Sequence, residues 1–165
     1  MTRIWCNTVL VAFFSLSKIL GEYDQSFRHR LQSSFMSVHL KNGVSTQTLV
    51  EEMLELNRRK QLALLLRDVV ENALNELPCE EREILTMRFR RGKTFQEIAE
   101  KQDISLRTAF RRFDKARENL CNTLEASGLN QEDFARDYLS DPAVRAVCSR
   151  LEDEAYFTAK STRRK

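Results

Sequence analysis

Apolar positions recur at helical intervals through most of this chain. Val9, Phe13, Leu16 and Leu20 fall at i, i+4, i+7 and i+11, which predicts one buried stripe on a helix within residues 4–20. A further helical stretch runs from about Tyr23 to Ser37, and a loop is expected around Lys41 to Ser45. Ser45 or Thr46 can then cap the next helix, with Glu51 and Glu52 in its early turns. From Leu49 the spacing holds through Met53 and Leu56, is interrupted by the polar string Asn57 to Gln61, and resumes from Leu62 to Leu77. One long helix with a wetted turn and two helices in series both satisfy this pattern.

Pro78 marks a boundary, because the residue before a proline is pushed out of helical geometry while proline itself suits a helix start. Glu80, Glu81 and Glu83 then complement the new N-terminus, and the helix is expected to end at Gly92. A short helix over Thr94 to Gln102, a tight connection at Gln102-Asp103-Ile104, and a helix from Ser105 towards Ala126 make a helix-turn-helix pattern. Thr94 and Ser105 are its expected N-caps. In the second helix Ala109, Phe113, Ala116 and Leu120 face inwards, leaving Leu106, Arg107, Phe110, Arg111, Asp114 and Lys115 outside. Gly128 stops this helix. Two more follow, one from Asn130 to about Leu139 and one entered by Asp141-Pro142, before a basic tail at Lys160 to Lys165.

Composition narrows the class. Four glycines and two prolines in 165 residues leave little material for hairpins, so the chain is expected to be all-α, and all-β and Rossmann-type folds are excluded. Cys6, Cys79, Cys121 and Cys148 lie far apart with no CxxC pair, and only His29 and His39 could join them, which argues against a metal site or a disulfide scaffold. They read as free thiols in a reducing cytoplasm, most of them as small buried apolar groups. The serines lack a partnered histidine, so no hydrolase triad, catalytic residue or cofactor is expected. His29 reads as part of a solvated face, His39 as structural, Trp5 as core and Arg58-Arg59-Lys60 as a wetted face. The run Val9 to Phe14 is too short for a membrane span and lacks an A-x-A-like cleavage site, so a buried helix is expected.

A net charge of +3 says little until it is sorted by position. Residues 88–117 hold ten bases against four acids, so this segment carries +6 and the remainder −3. Concentrated positive charge on a helix-turn-helix is the footprint of a face that binds a phosphate backbone. Arginines in the first turn and a half of the second helix suit a recognition helix that enters the major groove.

The segments LNELPCEEREILTMRF (Leu74 to Phe89) and TFQEIAEKQDISLRTAFRRFDKARENL (Thr94 to Leu120) resemble region 4 of the sigma-70 family of bacterial RNA polymerase sigma factors. The resemblance implies double-stranded promoter DNA as a partner, read through the second helix, and RNA polymerase core as a second partner. Leu106, Arg107, Phe110 and Arg111 match the family's base and backbone contacts, and Arg88, Arg90, Arg91 and Lys93 would lie near the backbone. The full DNA-contacting set expected is Ser105, Leu106, Arg107, Thr108, Phe110, Arg111, Arg112 and Lys115, with Arg88, Arg91 and Lys93. The sequence departs from the family in its turn, where Gln102 and Asp103 replace the usual apolar residue and glycine, and Asp103 tolerates the left-handed conformation at some cost. Apolar Leu106 and Phe110 could meet thymine methyls or pack on the N-terminal helices. Asp114 opposes phosphate at its own position.

Residues 1–76 hold nine bases and eight acids and show no basic aromatic-rich cluster of the kind that opens DNA in region 2 of this family. The expected division is therefore a helical N-terminal region (1–76), a helix-turn-helix DNA-binding domain (77–127), and C-terminal helices with the tail (128–165). The N-terminal helices read as a platform for a partner, as a self-association surface, or as part of the domain's own core. Two functions remain open: a sequence-specific transcription factor of sigma type, and a protein-interaction adaptor that uses the helix-turn-helix as scaffold.

Overall fold

The computed structural model describes residues 5–39 and 45–149, with eight helices and no strand among them. The expected loop over 41–44 and the basic tail lie outside the described residues, as does the side chain of His39. α1 (Trp5–Phe14) and α2 (Leu16–His39) replace the single N-terminal helix expected from the Val9 to Leu20 stripe. The break falls at Ser15, whose N–H still donates back to Val11 and Ala12 while its own carbonyl accepts from Lys18 and Ile19. Leu10, Ala12 and Ile19 are fully buried, whereas Phe13 and Leu20 are only half so.

α3 (Thr46–Glu76) is one uninterrupted helix of 31 residues, about 46 Å long at ~1.5 Å per residue. This decides between the two readings of its polar string. Glu55 accepts from Arg58 at 2.9 Å and from Arg59 at 3.0 Å, so the string stays helical as an ion-paired wetted turn. The two arginines, through their hydrogen bonds above all, hold the Glu55 carboxyl down at about 2. Ser45 sits at the N-cap but its side chain makes no capping bond. Leu77 is extended, and Pro78 opens α4 (Cys79–Phe89) as the sequence predicts. α5 (Phe95–Gln102), α6 (Leu106–Ala126), α7 (Gln131–Asp137) and α8 (residues 142–149) follow.

One buried cluster holds these helices together, running from Trp5 in α1 to Cys148 in α8. It crosses both expected domain boundaries. α1 is packed against α3, α4 and α6, and there the expectation of four free thiols fails: Cys6 of α1 and Cys121 of α6 form a disulfide, with a Cα–Cα distance of 6.0 Å. They lie 115 residues apart, and no spacing rule brings such a pair together on paper. Cys79 is free and exposed; Cys148 is buried, with its thiol directed at the Thr8 carbonyl. No helix of the described residues is long and apolar enough to cross a membrane.

The C-terminal helices close the far side of α3. The buried Asp141 accepts from the N–H of Ala143 at 2.8 Å, which caps α8, and meets Arg59 of α3 at 3.6 Å. Tyr23 and Tyr138 line the same seam. Burial, and then the adjacent Asp141 carboxylate, push the Tyr23 phenol well above its ordinary range. Burial and the charge of Asp137 push Tyr138 up to about 12. Both raised values favour the protonated form in the fold, so the stability they contribute is complete below the ordinary value of about 10 and is lost as pH rises through the folded values. An absorbance titration of tyrosinate, followed beside helical circular dichroism, should show these two phenols ionising only as helicity collapses. Tyr23→Phe and Tyr138→Phe each should remove one late phenol; if either substitution instead removes a phenol that ionises near pH 10 with helicity intact, the burial argument fails.

Candidate nucleic-acid interface

The interface is built from the turn outward. Thr94 and Glu97 form a reciprocal capping box at the start of α5: the Thr94 hydroxyl accepts from Glu97 N–H at 3.2 Å, and Thr94 N–H donates to the Glu97 carboxylate at 2.8 Å. The Lys93 ammonium at 2.9 Å, followed by these Thr94 donors, holds the Glu97 carboxyl down at about 2. Asp103 ends α5 in the left-handed region, at φ 51° and ψ 48°. Ile104 N–H then donates to the Ala99 carbonyl at 3.0 Å, closing the turn without glycine. Asp103→Gly should raise unfolding free energy by roughly 0.5–1 kcal/mol, since a Cβ is disfavoured there. A denaturant midpoint that falls instead would show the carboxylate to be stabilising the turn.

Ser105 caps α6, its hydroxyl accepting from Thr108 N–H at 3.1 Å and pairing with the Thr108 hydroxyl at 2.8 Å. Ala109, Phe113, Ala116 and Leu120 are buried as their spacing predicts. This fixes the rotation of α6 and turns Leu106, Arg107, Phe110 and Arg111 outward, where all four are exposed.

An aromatic cluster joins the three helices at this end. Phe95 of α5 lies 4.3 Å from Phe110 and 5.0 Å from Phe113, and Phe89 of α4 lies 6.0 Å from Phe113, all between ring centroids. Phe110 therefore rests on Phe95 of α5 while keeping 45% of its surface exposed. The signal was present as four phenylalanines at 89, 95, 110 and 113, but periodicity within one helix cannot show that they meet across three.

The ten bases of this segment separate into two groups. Arg88 is half-buried, lies 5.2 Å from the Phe95 centroid and donates to the Lys93 carbonyl at 3.1 Å, so it braces the α4–α5 connection. Lys93 is paired with Glu97, and Arg117 with Asp114 at 2.7 Å. Arg112 reaches Glu80 at 3.6 Å, and Lys115 reaches Glu81 at 3.5 Å. Glu81 is more than a complement to its helix dipole: it is 8% exposed and also accepts from Asn119 at 2.7 Å, tying α4 to α6. Among the described residues, Arg90, Arg91, Lys101, Arg107 and Arg111 are exposed and carry no ion pair. Of the residues predicted to contact DNA, Arg91, Arg107 and Arg111 thus present free guanidinium groups. Ser105 and Thr108 are occupied in the cap; Arg88, Lys93, Arg112 and Lys115 have protein partners.

Comparison with known families bears on this segment. Residues 67–120 match the family model of sigma-70, region 4. Neither the curated proteins nor the solved structures give a match. The region 4 segment is about a third of the chain and begins inside α3, ten residues before the boundary expected at 76/77. It takes in the last third of α3, all of α4 and α5, and α6 as far as Leu120. Region 4 is a DNA-binding, non-enzymatic domain family that also meets RNA polymerase core. Outside the region 4 segment lie α1, α2, α7 and α8, so the half-cystine Cys6 comes from outside it and Cys121 from the residue just past its end.

Proposed function

We propose that this chain is a sequence-specific DNA-binding transcription factor of sigma-factor type, which reads promoter DNA with α6 in the major groove. The observation that carries the reading is the outward, unpaired pair Arg107 and Arg111, one turn apart on a Ser105-capped helix within the region 4 segment. An arginine that reaches a base edge can read guanine with two hydrogen bonds. Arg90, Arg91 and Lys101 supply backbone anchors around it, and Leu106 and Phe110 supply apolar surface for thymine methyls. This reading places the protein in the cytoplasm beside RNA polymerase core, without a catalytic step or a cofactor, where the Cys6–Cys121 disulfide would have to persist against a reducing medium.

Selection of bound sequences from random duplex DNA, with and without RNA polymerase core, tests this directly. An enriched motif whose affinity falls steeply with salt is the expected result. Enrichment only with core enzyme would place the reading within a polymerase complex. No enrichment under either condition overturns it.

One observation favours a second reading, a protein-interaction adaptor of the transcription machinery. Leu106 and Phe110 keep 47% and 45% of their surface at the tip of α6, a pairing of apolar anchors that a partner protein could cover. Such an interface would respond weakly to salt, so the salt series separates the two.

A further inference from the structure

Arg112 and Lys115 meet their carboxylate partners in one cleft. It has a volume of about 330 Å³, lies between the first turn of α4 and the first half of α6, and is lined by Glu80, Glu81, Arg111, Arg112 and Lys115. Arg111 also belongs to the exposed row on α6 that carries the DNA reading, so the cleft borders that face. A carboxylate in this position competes with a backbone phosphate for the same cations.

The two acids are held differently. Glu81 is buried and its Oε2 accepts from Asn119 at 2.7 Å, so it is fixed as the tie between α4 and α6. Its ion partner Lys115 keeps 71% of its side chain in solvent and can turn to a phosphate without disturbing that tie. Arg112 is drawn further in, with 40% of its side chain exposed, and its partner Glu80 is 75% exposed. The Arg112–Glu80 contact of 3.6 Å is longer than Lys93–Glu97 at 2.9 Å or Arg117–Asp114 at 2.7 Å, so it holds by charge and exchanges readily. An exposed pair of this kind contributes little to the stability of the fold. Its larger effect falls on whatever else Arg112 could meet.

We propose that Glu80 is an intramolecular competitor for the DNA backbone: it neutralises Arg112 in the free protein and weakens binding to duplex of any sequence until a phosphate displaces it. This role rests on the reading of α6 as the DNA-binding helix, and it names the acid that limits the affinity of that helix. Non-specific binding comes essentially from phosphate contacts. An acid that withholds one such contact leaves base reading by Arg107 and Arg111 a larger share of the total. Glu81 has no equivalent part, because it stays in place whichever way Lys115 turns.

The test is fluorescence anisotropy of the full chain on a selected site and on a scrambled duplex, over a salt series, with wild type, Glu80→Gln, Arg112→Gln and Glu80→Gln/Arg112→Gln. Glu80→Gln should bind both duplexes roughly two- to fivefold more tightly than wild type, with a salt slope steeper by about one. Its melting should stay close to wild type, as the Glu80 side chain is exposed. The positive end of the α4 dipole would favour an acid at Glu80 even without Arg112, and the double variant separates the two roles. It should bind no better than Arg112→Gln. Glu83→Gln, the same charge change outside the cleft, should give little gain. A wild type that binds DNA with no gain in Glu80→Gln overturns the proposal and leaves α6 as the reader. An equal gain in the Arg112→Gln background, or in Glu83→Gln, also overturns it by reducing Glu80 to a general negative charge. If none of these proteins binds either duplex even at low salt, the reading of α6 itself fails and the role of Glu80 falls with it.

Discussion

Arg107→Ala/Arg111→Ala is expected to abolish most sequence-specific DNA binding while leaving the fold intact. Each arginine that contacts a base contributes about 1–3 kcal/mol, so the pair should cost on the order of a hundredfold or more in affinity, allowing for imperfect additivity at neighbouring positions. Both side chains are exposed and lie opposite the buried face of α6, so the melting temperature should not move. Fluorescence anisotropy on a selected site and on a scrambled duplex, at matched salt, is the measurement. Loss confined to the selected site assigns base reading. Equal loss on both makes the two arginines backbone anchors, and unchanged affinity removes α6 from the interface. Arg112→Ala and Lys115→Ala should cost less, since these bases must leave Glu80 and Glu81 before they can meet phosphate.

The second large effect concerns stability. Cys6→Ser/Cys121→Ser should lower the unfolding free energy by roughly 2–5 kcal/mol, because the bond closes a long loop in the unfolded chain. For a chain of this size that corresponds to a drop in melting temperature of roughly 5–20 °C. Dithiothreitol should lower the wild-type melt towards that of the double variant and leave the variant itself unchanged. Thiol titration in denaturant should find two reactive groups of the four cysteines in the wild type; four would show that the bond is absent. α1 should remain docked below the new melt, as Val9, Leu10 and Ala12 are fully buried without help from the sulfurs.

What sequence could and could not show follows from the range of each signal. The inward face of α6, the Pro78 boundary, the Thr94 and Ser105 caps and the left-handed Asp103 are local: each depends on residues within about one or two turns, where periodicity and backbone preference act. The break at Ser15 was hidden because both helices continue an apolar run and neither glycine nor proline marks the join. The polar string in α3 was ambiguous because its ion pairs, which keep it helical, are formed only by particular rotamers of Glu55, Arg58 and Arg59. Sorting bases by position gave the right segment, yet it could not separate Arg107 and Arg111 from Arg112 and Lys115. That difference depends on Glu80 and Glu81, more than thirty residues away in sequence and adjacent in space.

The packing of α1 also has a consequence for how the chain is made. α1, with its apolar sequence WCNTVLVAFF, leaves the ribosome well before its partners in α6, which are encoded more than a hundred residues later. At about 5–20 residues per second the ribosome needs on the order of ten seconds to deliver them. During that interval the α1 segment lacks the part of its cover that α6 supplies, and contacts of such long sequence separation form slowly even once all the pieces exist. Nascent chains of this protein should therefore depend on a holding chaperone, and codon changes that stall translation before Leu120 should send more of the product into aggregates.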